Sequence, residues 1–174
     1  CARLPLAPGM RVLDYCAGGG GKALALAARQ PDMQVAAHDV TPARMADLPA
    51  RAGRAGLSIA LQARPRGPYD LVVADVPCSG SGTWRRTPDA KWRLTRARLD
   101  ELVAVQGRIL EQAAVLVAPG GSLAYMTCSL LEAENGAQID GFLAANPGFR
   151  EGDRQTWTPL DGGDGFFMAR LVRS

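Results

Sequence analysis

Short apolar blocks recur along this chain, most of them closing on an acid, a cysteine or a glycine cluster. Residues 11–15 (RVLDY), 33–37 (MQVAA), 70–75, 122–126 and 165–172 are blocks of this kind, with 58–61 a weaker one. Their length and apolar density predict strands, several of them buried on both faces. Between the blocks, apolar residues return every three or four positions, the spacing of one helix face. Helices are predicted over 23–29, stopping before Pro31, and over 95–117, where Leu99, Leu102, Val103, Ile109, Leu110, Ala113 and Leu116 share a face. A further helix is predicted over 131–145, stopping at Asn146-Pro147-Gly148. Another begins with Thr41 as cap and Pro42 at its first position and runs towards Gly53 or Gly56, with Pro49 expected to kink or split it. Residues 76–94, rich in Gly, Pro and Arg, read as a long functional loop, and Pro119-Gly120-Gly121 as a turn into the fifth strand.

Strand and helix thus alternate, which predicts an α/β fold: a doubly wound, mostly parallel sheet with helices on both faces. Residues 151–163 are polar and read as irregular, so no crossover helix precedes the last strand. That strand is expected to join the sheet antiparallel, at an edge.

Composition narrows the class. A chain of 174 residues, 47% apolar and 21% charged, suits one domain with a full core. No apolar run approaches the roughly 20 residues that span a bilayer, and the first residues lack the layout of a signal peptide. Cys1, Cys16, Cys78 and Cys128 form no CxxC pair. Reduced thiols in a cytoplasmic protein, without membrane attachment, are therefore expected. The single histidine, His38, has no cysteine near it in sequence, so no metal centre is expected and His38 reads as a packed strand-end residue. Net charge is only +3, but Arg85, Arg86, Lys91, Arg93, Arg96 and Arg98 cluster against the single acid Asp89. Arginine's planar fork suits phosphate oxygens, although such a cluster also serves as a solvated helix face. Residues 5–9 lead straight into the first strand, as expected of a piece of a longer protein with segments upstream.

The turn after the first strand is Cys16-Ala17-Gly18-Gly19-Gly20-Gly21-Lys22, and Asp39 closes the second strand. Glycines between strand and helix let a ligand approach the backbone, and an acid one strand on suits ribose hydroxyls. Together they predict a nucleoside-containing cofactor at the strand edge; GxGxxG spacing is not usefully met. Cys16 reads equally as a cofactor contact or as a small buried residue.

Two further blocks end alike, in Asp75-Val76-Pro77-Cys78-Ser79 and in Thr127-Cys128-Ser129. Either cysteine alone reads as a buried thiol in a tight turn. Two of them at one sheet edge suit thiolate chemistry on a pyrimidine: addition to C6 activates C5 for methylation, and loss of the C5 proton then releases the thiolate. Asp75 stands where an acid would hydrogen-bond N3 and the exocyclic amine.

Four blocks, LDYCAGGGGK (13–22), ADVPCSGSGTWRRTPDAKW (74–92), YMTCSLLEAENGAQI (125–139) and DGFFMARL (164–171), resemble the RNA (cytosine-5) methyltransferases, most closely the bacterial 16S ribosomal RNA enzymes. The resemblance covers residues 1–174 as a catalytic domain with a Rossmann-like S-adenosylmethionine-dependent fold, without the N-terminal RNA-binding segments of those enzymes. It implies Cys128 as the nucleophile, Cys78 as the group assisting proton removal and product release, and Asp75 as a contact of both base and S-adenosylmethionine. It further implies that the loop 16–22 wraps the cofactor, that Asp39 holds the ribose, and that Arg85, Arg86 and Lys91 meet RNA. Glu134 and Asn135 match an acidic pair expected to cap a helix and order that loop. The first loop departs from the family's CAAPGGKT by two glycines, so a floppier loop and weaker cofactor binding are expected. The acid that faces adenine is absent after the third strand; Gln62 or Ala63 stands there, and Gln62 is the candidate to hydrogen-bond the adenine edge. Alternatives are a DNA cytosine-5 methyltransferase, in which Cys78 would be the nucleophile, and a non-catalytic RNA-binding or ribosome-assembly module. The target cytosine, the choice between ribosomal and transfer RNA and the oligomeric state are left open.

Overall fold

A computed structural model describes residues 3–174; Cys1, one of the four thiols, lies outside the described residues. The strands are β1 (Arg11–Asp14), β2 (Gln34–Ala37), β3 (Ile59–Leu61), β4 (Tyr69–Asp75), β5 (Val117–Thr127), β6 (Phe149–Trp157) and β7 (Phe166–Arg173). They form one sheet in the order β3-β2-β1-β4-β5-β7-β6. Pairing is parallel from β3 through β5, and β7 runs antiparallel to both β5 and β6. The helices are α1 (Gly21–Arg29), α2 (Leu48–Arg54), α3 (Ala90–Arg93), α4 (Arg96–Ala114) and α5 (Gly136–Ala145).

Consecutive strand residues point to opposite faces, and each face has its own core. Leu13, Val72, Ala74, Leu123 and Tyr125 pack with Leu110 and Ala113 of α4 and Ile139 and Phe142 of α5. Val12, Leu71, Val73, Ala124 and Met126 pack instead with Ala23, Leu26 and Ala27 of α1 and Leu48 of α2. A near-continuous apolar run such as Leu71–Ala74 is what a strand covered on both faces requires. Strand order reverses between β1 and β4, and in open α/β sheets ligands bind in the crevice outside the carboxyl ends at such a switch point.

Several expectations are refined. Residues 151–163 are not wholly irregular: β6 takes up 149–157 and forms the edge. The antiparallel strand β7 consequently lies one position inside the edge, as half of an antiparallel pair. The helix after Thr41 is split, as Pro49 foretold, into a 3-10 turn (Pro42–Met45) and α2; the Thr41 side chain makes no cap bond. The segment 76–94 contains a 3-10 turn (Ser81–Thr83) and α3. The helix expected over 131–145 is broken at Asn135 (φ −117, ψ −101) into a 3-10 turn (Glu132–Glu134) and α5. Asn135 gives up helical geometry while its amide donates to the Ser129 carbonyl at 2.9 Å and accepts from Thr127 Oγ1 at 2.6 Å. By contrast Thr95 caps α4, its hydroxyl oxygen accepting from Arg98 N at 3.2 Å. The turn at 119–121 survives inside β5: Tyr69 faces Val117 while Leu71 faces Ser122, so the intervening residues loop out.

Candidate active site

At the switch point the carboxyl ends of β1, β2, β4 and β5 surround a cavity of about 720 Å³. Cys16, Ala17, Gly18 and Gly19 line one wall with Asp39; Asp75, Cys78 and Cys128 line another. Val105, Arg108, Ile109 and Gln112 of α4 close a third side. That volume lies within the range of small-molecule sites and accommodates a nucleoside joined to an amino acid.

The sulfurs of Cys78 and Cys128 are 3.4 Å apart. Their environments separate them. Cys128 is held down to about 7, chiefly because Cys78 donates a hydrogen bond to its thiolate, against the opposing effect of burial. Cys78 is pushed well above the ordinary thiol range by the same hydrogen bond and by burial. Of the two, Cys128 is therefore the thiol that ionises more readily and Cys78 the one that holds its proton more tightly. Burial, with Asp14 adding to it, pushes Cys16 up to about 12, so Cys16 is an unreactive thiol on the cavity wall.

Asp75 leaves β4 half-buried and forms an ion pair with Lys22, whose ammonium also lies 5.6 Å from the Phe166 ring centroid. Lys22 thus serves Asp75 and does not line the cavity. Asp39 is 2% exposed and binds the glycine turn itself: Oδ2 accepts from Gly18 N at 2.9 Å and Oδ1 from Thr41 N at 2.9 Å. Arg44 adds an ion pair to Asp39 at 3.2 Å, and Arg51 donates to the Gly19 carbonyl. The loop expected to be floppy is therefore clamped at both extra glycines. Gly20 (φ +79) sits against Leu48, where a Cβ would come within 2.3 Å of a methyl carbon, and Gly21 opens α1; neither lines the cavity.

Gln62 also stands apart. Its side-chain oxygen accepts from the Tyr69 hydroxyl at 2.7 Å, its carbonyl bonds His38 Nδ1 at 2.9 Å, and it lines a separate depression beside β2 and β3. Beyond that bond, His38 tilts against Tyr15 at 5.1 Å and contributes to the cavity wall. Arg85 and Arg86 both pair with Asp164, and Lys91 lies 4.6 Å over Trp92, whose ring is 80% exposed. These basic residues lie outside the cavity.

Asp14, Arg44 and Arg108 went unnoticed in the sequence. Asp14 ends β1 with 1% exposure; its Oδ2 accepts from Ala23 N at 3.0 Å, while Oδ1 has no hydrogen-bond partner. Burial raises it to about 7. Its position at a strand end is the same signal that drew attention to Asp39 and Asp75. Nothing local marks Arg44 or Arg108. Among the described residues no three His, Cys, Asp or Glu side chains group as a metal site, and no helix is long and apolar enough to cross a membrane.

A model of the family 16S rRNA methyltransferase RsmB/F matches residues 2–172. The chain belongs to that family. Ribosomal RNA small subunit methyltransferase B from Xanthomonas campestris is 36% identical to it over 98% of this chain and 44% of the relative. The protein of the same name from Xylella fastidiosa is 38% identical, over 99% and 45%. The RsmB/F chain described here therefore spans a little under half the length of these relatives. Among solved structures, PH0851 is 32% identical with a TM-score of 0.87, covering 94% of this chain and 42% of that one. NSun6 from Pyrococcus horikoshii, solved with SFG, has a TM-score of 0.83 at 20% identity, over 94% of this chain and 48% of that one, a likeness of fold. Fold and family are those of methyltransferases whose methyl donor is S-adenosylmethionine.

Proposed function

We propose that this RsmB/F chain is the catalytic part of an enzyme that methylates C5 of a cytosine in RNA, with 16S ribosomal RNA in the cytoplasm as substrate, through a covalent adduct between Cys128 and C6. The observation that carries the reading is the pair of sulfurs 3.4 Å apart at one cavity, with the lowered thiol on Cys128 and Asp75 beside them. Family membership supports the choice of ribosomal RNA.

The turn 16–19 and Asp39 hold the nucleoside part of S-adenosylmethionine, and Asp75 its methionine part. Bound there, S-adenosylmethionine supplies an electrophilic methyl group on a sulfonium sulfur. The residues of the chain do the rest. The Cys128 thiolate adds to C6 of a cytosine turned out of its stack. Asp75 hydrogen-bonds N3 and the exocyclic amine, so that charge pushed into the ring is stabilised as it develops. Once C5 carries the methyl group, the C5 proton is lost to water with the help of Cys78, next to the sulfur of the adduct, and Cys128 is expelled as thiolate. The same division of labour favours this reading over the DNA-enzyme arrangement, in which Cys78 would attack: its raised value makes it the poorer thiolate at neutral pH. Arg85, Arg86 and Lys91 line the approach of the RNA backbone, where they contribute a salt-dependent affinity.

The test is methylation of unmodified 16S ribosomal RNA by the full protein with S-adenosylmethionine, read by bisulfite sequencing. One cytosine should become protected, and Cys128→Ala should abolish protection. Methyl transfer to an atom other than cytosine C5, or full activity in Cys128→Ala, would overturn the assignment.

A further inference from the structure

The two cysteine loops are tied to one buried carboxylate. Glu134 is 0% exposed, yet among the described residues no cation pairs with it; the partners shown are hydrogen-bond donors. Oε1 accepts from the Ser79 backbone N–H at 2.8 Å and from Gln106 Nε2 at 2.9 Å. Oε2 accepts from the hydroxyls of Ser79 and Ser129, both at 2.5 Å. Ser79 directly follows Cys78 and Ser129 directly follows Cys128. A single carboxylate thus spans the loop after β4 and the loop after β5 at the residue adjoining each thiol. Gln106 anchors it to α4 and at the same time donates to the Pro77 carbonyl at 3.0 Å. The Tyr125 hydroxyl donates to the Glu134 carbonyl at 2.6 Å, which fixes the backbone that carries the carboxylate.

A cap or a loop brace needs one or two of these bonds. Burying a carboxylate with no counter-charge is costly, and four donors converging on it from three elements hold it to one position. The sulfurs sit one residue from two of its struts, so a change in either strut alters their separation.

We propose that Glu134 is the positioning residue of the thiol pair: its carboxylate sets the distance between Cys78 and Cys128. The consequence for turnover rests on the function proposed above; the consequence for thiol spacing does not. The two are therefore measured separately on the full protein. Spacing is read by capture of a trivalent monoarsenical, which bridges two thiols only when they are close. Turnover is read as kcat and KM for methylation of 16S ribosomal RNA, with S-adenosylmethionine affinity by calorimetry.

Glu134→Ala should lower arsenical capture at least tenfold and kcat about a hundredfold, while KM and cofactor affinity stay within about threefold; a residue with only a general folding role would shift all of these together. Glu134→Gln retains an acceptor for Ser79 N–H and Gln106 and can donate to the serine hydroxyl oxygens, so it should restore most of the capture and of kcat. Should Glu134→Ala not fold, Ser79→Ala removes one strut alone and should lower capture several-fold. Capture unchanged in a folded Glu134→Ala, or in Ser79→Ala where that variant stands in, overturns the proposal. If capture falls as described while the wild-type protein methylates no RNA, Glu134 keeps its role and the proposed function fails instead.

Discussion

On the β1–β2 side of the cavity the glycine turn is gripped partly from outside, by Arg44, whose side chain is 61% exposed, and by Arg51. On the β4–β5 side the cysteine loops are gripped from inside, by Glu134, Gln106 and Ser129, none of which is exposed at all. The first arrangement holds a stretch of glycine backbone against the cavity wall. The second holds two sulfur atoms at contact distance. Exposed ion pairs contribute about 0–1 kcal/mol, whereas an orphaned buried donor or acceptor costs about 1–3 kcal/mol. Substitutions on the two sides should therefore differ in size as well as in kind.

The largest effect is expected where the two sides meet. Asp75 lines the cavity beside both thiols and is paired with Lys22 from the glycine turn's helix. Asp75→Ala should lower kcat by about 10²–10⁴-fold, the range for a positioned acid–base group, and weaken cofactor binding as well. Steady-state kinetics with calorimetry check this, and an unchanged kcat would remove Asp75 from the mechanism.

Asp14 comes next and makes stability depend on pH. Its ordinary value of 3.8 rises to about 7 on burial, so the folded state favours the protonated acid. The stabilisation from this group is complete below about pH 4 and is lost as pH rises through 7. Three units correspond to about 4 kcal/mol between those limits. Asp14→Asn keeps an acceptor for Ala23 N–H and should abolish that slope. Denaturant unfolding of both proteins from pH 4 to 8 should give curves that diverge with rising pH; parallel curves would show that Asp14 does not titrate in this way.

A smaller contrast lies within the cofactor side. Asp39→Ala removes the acceptor for Gly18 N–H and Thr41 N–H and should cost about 2 kcal/mol, with S-adenosylmethionine binding correspondingly weaker. Arg44→Ala removes only an exposed partner and should cost less than about 1 kcal/mol. Calorimetry and denaturation on both variants test the ranking, and equal losses would mean that the outer clamp matters as much as the buried acid.

Much of this edge is legible in the sequence, because a buried parallel strand announces itself by an apolar run and delivers whatever follows to one end of the sheet. Asp39, Asp75, Cys78 and Cys128 all follow such runs, and Asp14 carries the same signal. Other features had no local mark. β6 was overlooked because an edge strand of sequence FREGDRQTW, mostly solvated, shows no apolar alternation, and its register shifts between Glu151 and Asp153. The break at Asn135 was hidden by Leu131 and Ile139, which continue the helical spacing of apolar residues across it. Arg44 and Arg108 reach the cavity only through the packing of their helices. Gln62 follows the third strand, where an adenine contact is expected, but its side-chain oxygen accepts from Tyr69, a partner seven residues on that sequence spacing does not reveal.

The central claim is that Cys128 attacks while Cys78 helps the product leave. Cys78→Ala, incubated with 16S ribosomal RNA and S-adenosylmethionine and run on a denaturing gel, tests it most directly. A protein–RNA adduct that survives denaturation and disappears in the Cys78→Ala/Cys128→Ala double variant is the predicted result. Free, fully methylated RNA from Cys78→Ala, or an inactive Cys78→Ala protein with no adduct, would contradict it.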